Sequence, residues 1–301
     1  DGSRWYDRIA DIAFSPDGRS LSFVAELNGR AFIVVNSSEG PAHDRVMRPV
    51  FSPQGKLAYV AVDGDRQYVV LDGNNEKPYR QIAADILRFS PDGRLAYAAQ
   101  TLNGWTLVCN GREGPVFDAV SAVQFSSAGR RLAYAFSNKG RDGLVVDGKV
   151  IPDAWSLVFS PDGIRFACLA SRQGATVVLR DGKILPPLKS LAPRQVCFSP
   201  DSRRLLCLAD DSGNSILLVD GQPHASCNGL LSSSSAEICF FTDPSHFHFF
   251  SYADRTVSRV EETLHAKRVT VRESKVNGKA GSGELSTPMV VPEVIPLFGV
   301  K

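Results

Sequence analysis

His246 and His248 lie two residues apart, a spacing that puts both imidazoles on one face of a strand. With Asp243 beside them and His224 and Cys227 upstream, they come nearest to a metal-ligand set in this chain. A zinc site needs about four such ligands converging at roughly 2.0–2.3 Å. A divergent hairpin with surface histidines accounts for the pair without a metal. Asp210-Asp211-Ser212-Gly213-Asn214 and Asp63-Gly64-Asp65 are calcium-loop-like in composition. Neither supplies the spaced ligands and bidentate glutamate of an EF-hand, so both read as polar turns. Asp7, Asp44 and Asp118 each stand seven residues before a phenylalanine. Carboxylates can serve acid–base chemistry, but recurrence at equivalent positions points to a turn-stabilising role. Gly281-Ser282-Gly283 lacks the spacing of a nucleophile elbow, and Gly278-Lys279-Ala280-Gly281 sets its lysine on the wrong side for a phosphate loop. The residues therefore predict no catalytic centre, no metal and no cofactor.

The elements that would position these groups come from a repeat. Phe14-Ser-Pro-Asp-Gly18 returns as Phe51-Ser-Pro-Gln-Gly55, Phe89-Ser-Pro-Asp-Gly93, Phe125-Ser-Ser-Ala-Gly129, Phe159-Ser-Pro-Asp-Gly163 and Phe198-Ser-Pro-Asp-Ser202. A degraded copy follows at Phe240-Phe-Thr-Asp-Pro244, and successive phenylalanines are 37, 38, 36, 34, 39 and 42 residues apart. Such a period marks a repeat architecture. Each unit reads as four short strands. The phrase closes the first and makes a tight turn, with Pro presetting φ and Gly accepting a positive φ. A second strand follows, as in Leu57-Ala-Tyr59 or Leu132-Ala-Tyr134, then a glycine-bearing loop and a β-branched run such as Ile33-Val-Val35. Asp-Gly ends most of these runs (Asp72-Gly73, Asp147-Gly148, Asp181-Gly182, Asp220-Gly221), a strong hairpin signal. No stretch keeps a helical period, so the chain is all-β.

Four antiparallel strands cannot bury both of their faces, but seven such sheets set radially can. The expectation is a seven-bladed β-propeller of four-stranded antiparallel blades over residues 1–265. The phrase Phe-Ser-Pro-Asp-Gly-Arg followed by Leu-Ala-Tyr resembles the Pro-Asp type, TolB-like repeat, a relative of the WD-type (WD40-like) propeller repeat. The Trp-Asp dipeptide and the Gly-His signature of ordinary WD repeats are absent, as is the sialidase Asp-box. The resemblance implies a rigid platform whose relatives mostly bind proteins or accompany a separate catalytic domain. Function does not follow from the fold. Residues 1–9 resemble the outer-strand segments around Asp44 and Asp118, so they are expected to supply the outer strand of the last blade. Arg268–Arg272 competes for that place.

Composition narrows the function classes. At 301 residues and 43% apolar content, one propeller domain can bury an ample core. A net charge of +2 gives no pull toward nucleic acid or anionic lipid. No 18-residue apolar run exists, so no membrane-inserting helix is expected. The chain starts without Met or a leader-like segment, as expected of a processed or internal start. Of six cysteines, Cys168 and Cys207 replace the second-strand tyrosine, while Cys197 and Cys239 precede a repeat phenylalanine. These are core positions too widely separated for bridges, so no disulfides are expected. Unpaired thiols point to a reducing, cytoplasmic compartment, whereas the TolB resemblance implies an exported, periplasmic one. Residues 266–301 read as a linker followed by an extended, proline-broken apolar tail.

A partner is expected at the variable loops between second and third strands, opposite the regular Ser-Pro-Asp-Gly rim. The residues singled out there are Arg30, Arg66, Trp105, Arg141, Arg172, Asn214 and Arg255, with Arg48, Arg88 and Gln195 nearer the channel mouth. Arg and Trp are frequent interface anchors. Asp63, Asp65, Asp142, Asp210, Asp211 and Asp254 interleave with them, so a solvated mixed-charge rim is the competing reading. The expected function is a non-catalytic scaffold, a monomer, that binds a protein or peptide. The alternatives are a channel-mouth enzyme or carbohydrate-binding propeller, and a sensor module of a longer protein.

Overall fold

The computed structural model describes residues 5–185, 192–211, 214–227, 240–241, 246–253, 256–263 and 272–275. Every regular element among them is a β-strand. Internal contacts divide the chain into two units, residues 1–149 and 150–301.

In the first unit the first sheet is Arg8–Phe14, Leu21–Leu27, Arg30–Val35 and Ser38–Glu39. The second is Arg45–Phe51, Leu57–Asp63, Arg66–Leu71 and Asn74–Asn75. The third is Gln81–Phe89, Leu95–Thr101, Gly104–Cys109 and Arg112–Phe117. The fourth contains Ala119–Phe125, Leu132–Asn138 and Arg141–Val146, with Lys149–Pro152 straddling the unit boundary. The second unit repeats the plan with Ala154–Phe159, Phe166–Arg172, Ala175–Arg180 and Lys183–Ile184. Its next sheet is Ala192–Phe198, Leu205–Asp211, Asn214–Val219 and Gln222–Cys227. A further sheet comprises Phe240–Phe241, His246–Ala253, Thr256–Thr263 and Arg272–Lys275. All are antiparallel meanders in chain order. The fourth strand of that last sheet thus comes from the carboxy-terminal side. Arg8 and Ile9 belong to the first sheet, Trp5 to Asp7 lie outside strands, and residues 1–4 lie outside the described residues.

Each turn type has its own chemistry. The serine of the repeat phrase is buried in all six described copies: Ser15, Ser52, Ser90, Ser126, Ser160 and Ser199. Its Oγ accepts backbone N–H groups from across the turn, as from Ser20 at 2.8 Å and Arg165 at 2.9 Å. Where aspartate is present, the same hydroxyl donates to it: Ser15 to Asp17 at 2.6 Å, Ser160 to Asp162 at 2.5 Å, and Ser90 to Asp92. The Asp-Gly hairpins have positive φ at both central residues, as at Asp147 (49°) and Gly148 (79°), which matches the twist of the flanking strands. The aspartate also reaches the start of the second strand, for Asp147 Oδ1 accepts Leu132 N–H at 2.9 Å and Asp220 Oδ1 accepts Leu205 N–H at 3.0 Å.

The core lies between neighbouring sheets. Val24 and Ile33 of the first sheet pack with Val46, Tyr59 and Val70 of the second. Val60 and Val69 of the second pack with Leu87 and Tyr97 of the third, and Leu107 and Phe117 of the third with Tyr134 and Val145 of the fourth. In the second unit Leu169 and Val178 pack with Val196, Leu205 and Leu218. Tyr59, Tyr97, Tyr134 and Cys207 of the second strands face the preceding sheet, and burial pushes the Cys168 and Cys207 thiols up to about 12. Cys109, Cys168, Cys197 and Cys207 are free thiols, and Cys239 lies outside the described residues.

One face departs from this rule. The first strand of the first sheet leaves Ile9 (53%), Ile12 (63%) and Phe14 (67%) exposed. Their counterparts in the later first strands, such as Val46 and Val120, are buried under the preceding sheet.

Candidate binding rim

The two ends of the sheets differ. At the Ser-Pro-Asp-Gly end, turns of adjacent sheets interlock. Arg94 of the third sheet donates to the Gly129 carbonyl of the fourth, and a Cβ at Gly129 would run into Asp92. A Cβ at Gly93 would run into the Gln54 side chain of the second sheet. In the second unit Asp162 N–H donates to Ser202 Oγ at 2.9 Å, so the serine that replaces the repeat glycine serves as an inter-turn acceptor. These contacts tie neighbouring turns together on this rim.

At the opposite end, the aspartate just before a first strand caps the turn between second and third strands. Asp7 Oδ2 accepts Asn28 N–H at 2.8 Å, Asp44 Oδ2 accepts Gly64 N–H at 2.7 Å, and Asp118 Oδ2 accepts Lys139 N–H at 2.5 Å. The recurring carboxylates are therefore turn caps, as their spacing predicts.

A polar cluster missed from the sequence lies between the first and second sheets. His43 is 5% exposed, and its Nδ1 lies 2.9 Å from Asp63 Oδ2, which also accepts the Tyr68 hydroxyl. Asp63 is acceptor-only when ionised, so Nδ1 donates to it, and Nε2 is buried with no hydrogen-bond partner among the described residues. Burial alone would raise the Asp63 pKa; the bonds from Tyr68 and His43 overcome it and hold the carboxyl below its ordinary value. Burial, then the Asp63 hydrogen bond, push Tyr68 up to about 12. Because Nε2 is sealed from solvent, the imidazole has no access to a substrate proton, and the cluster fixes the sheet junction instead. Its sequence signal was the exchange of the aromatic at this position, Tyr6 or Phe117 elsewhere, for His43.

The singled-out residues divide by what they touch. Arg30 donates to Asp44 Oδ1 at 2.5 Å and the Ala42 carbonyl at 2.8 Å, and its ion pair with Asp63 is at 3.8 Å. Arg88 is half-buried and bridges to the Val123 carbonyl of the fourth sheet at 2.6 Å. Arg172 donates to the Pro152 and Ser171 carbonyls at 2.9 and 2.7 Å. Trp105 is half-buried against the core between the third and fourth sheets, and Gln195 is half-buried on its strand. Arg66 and Arg141 are exposed, each the first residue of a third strand, and neither side chain has a hydrogen bond or ion pair among the described residues. Arg48 is exposed in a bulge with φ of 54°, and its N–H donates to Asp11 Oδ2 at 3.1 Å. Asp11, Ala122 and Ser156 hold the same left-handed conformation at equivalent positions of their strands. Arginine and alanine are poor left-handed formers, so the sequence carried no sign of these bulges. Asn214 opens its strand with a side chain outside the described residues, and Arg255, His248 and Asp243 lie there too.

No protein-family model matches the chain, and no curated protein matches it. Among solved structures it is similar to a eukaryotic initiation factor, at 13% identity and a TM-score of 0.44, covering 91% of this chain and 90% of that one. It is also similar to the β-propeller domain of the Trilobed protease from Pyrococcus furiosus, at 14% identity and a TM-score of 0.36, covering 91% and 99%. TolB from Acinetobacter baumannii has 13% identity and a TM-score of 0.35, covering 95% of this chain and 64% of that one.

Proposed function

We propose that this chain is a seven-bladed β-propeller that serves as a non-catalytic binding platform, engaging a protein or peptide through the turns between second and third strands. The observation that carries the reading is the contrast between the two sheet ends. At one end turns of adjacent sheets are bonded to each other, Arg94 to Gly129 and Asp162 to Ser202; at the other, exposed Arg66 and Arg141 stand on capped turns with no side-chain partner among the described residues. Fixed turns present side chains at little ordering cost, which favours binding. The closed wheel is supported by the apolar face of Ile9, Ile12 and Phe14, which the propeller arrangement would cover with its last sheet. The sealed Nε2 of His43 gives no support to an enzyme.

The test is binding by a double variant, Arg66→Ala and Arg141→Ala, against peptides selected on the wild-type chain. Loss of at least tenfold in affinity with an unchanged melting midpoint is expected. Retained affinity would place the binding face elsewhere.

A further inference from the structure

The turn of the third sheet departs from its neighbours in three linked ways. Arg80 occupies the position just before the first strand where the first, second and fourth sheets carry Asp7, Asp44 and Asp118. With the capping carboxylate gone, Thr101 takes over, its Oγ1 accepting Asn103 N–H at 3.2 Å and donating to the Gly104 carbonyl at 3.0 Å. Arg80 is exposed, with no hydrogen bond or ion pair among the described residues, and the turn from Thr101 to Trp105 has no acidic residue to neutralise it. At the tip stands Leu102, 96% exposed, where the corresponding turns carry Asn28, Gly64 and Lys139. Val116 is exposed on the fourth strand, opposite Thr106 and next to the space above Gly104, while Trp105 pairs with Phe117 on the other face.

The register brings these groups together. Gln81 pairs with Gln100, and Gln100 with Trp105, so Arg80 and Thr101 share the terminal row of the sheet with Gly104. Gly104 has φ of 134° and lies against the Phe117 carbonyl, which locks the turn that lifts Leu102. A lone exposed leucine needs no explanation. A leucine on a locked tip, with exposed Val116 and an arginine standing where the repeat carries its capping aspartate, pairs an apolar anchor with an uncompensated cation.

We infer that the third-sheet turn is the recognition point of the platform and takes a peptide segment with an Asp or Glu carboxylate next to a large apolar side chain. The carboxylate meets Arg80, and the apolar group packs on Leu102 and Val116. This rests on the rim reading above and adds the chemistry of the partner.

The experiment selects a phage-displayed library of random twelve-residue peptides on the full chain, then measures synthetic versions of the enriched peptides against variants. Enrichment of acidic residues adjacent to Leu, Ile or Phe is expected, with affinity falling at least tenfold for Arg80→Glu and for Leu102→Asp and by less than twofold for Arg19→Glu on the other rim. Both target residues are exposed, so unchanged melting midpoints identify a binding effect. If Arg66→Glu and Arg141→Glu abolish binding while Arg80→Glu and Leu102→Asp do not, the rim stands and this recognition point falls. If Arg19→Glu alone weakens binding, both readings fall. No enriched peptide, or enrichment without acidic residues, overturns the inference.

Discussion

Ser126 stands in the described turn that has lost both proline and aspartate, yet its Oγ still accepts Arg131 N–H at 3.1 Å and its side chain stays buried. Ser52, with glutamine in the aspartate's place, accepts Lys56 N–H at 2.9 Å. The hydroxyl is thus the constant chemical part, and the aspartate an addition that turns an acceptor into a relay. That relay fixes a pH dependence. The Ser15 hydrogen bond lowers the Asp17 carboxyl; in Asp92, Asp162 and Asp201 burial pulls upward, but bonds from Ser90, Ser160 and Ser199 win and hold each carboxyl low. A carboxyl depressed in the folded state contributes stability above its unfolded value, near 3.9, and loses it as pH falls through the folded value. The melting midpoint should therefore be flat with respect to these groups from about pH 7 to about 4.5 and fall below about 4. Asp92→Asn, Asp162→Asn and Asp201→Asn together should lower it at neutral pH and make the acid limb shallower. An acid limb of unchanged steepness would show that these carboxyls are not responsible.

At the scale of strands and turns, much was legible in advance because the turns are local. Asp147-Gly148 and Phe159-Ser-Pro-Asp-Gly163 state their own φ requirements, and the turn aspartates Asp7, Asp44 and Asp118 repeat at one spacing. The first-strand bulges were not legible, since Arg48 and Ala122 enter the left-handed region under cross-strand constraint rather than by residue preference. Nor was the commitment of Arg30 to Asp44, because two segments far apart in sequence must first meet. The glycines sort by the same logic. Gly104 combines φ of 134° with a neighbouring Phe117 carbonyl, whereas Gly140, at φ of 74°, has open space where a Cβ would stand. Gly140→Ala should cost about 1 kcal/mol, the penalty of a left-handed non-glycine. Gly104→Ala should cost about 3 kcal/mol or more, because the backbone itself must shift. Urea denaturation of the two variants measures this, and equal costs would contradict the close approach.

For the whole molecule, the account depends on sheets that shield one another. Every first strand from the second sheet to the fourth lies under its predecessor, whereas Ile9, Ile12 and Phe14 have only the proposed last sheet to cover them. The repeat made that need readable, because seven near-copies of a two-faced sheet leave no copy suited to be an end. It left unreadable which strand completes the last sheet, since residues 1–9 and Arg268–Arg272 both read as short outer strands. The most direct measurement is the urea midpoint of Ile12→Asp. In a closed wheel the substitution buries a charge and removes an apolar contact, so a loss of about 3 kcal/mol or more is expected. A midpoint within about 0.5 kcal/mol of wild type, the range of ordinary surface changes, would mean the first sheet stays bare and the wheel does not close.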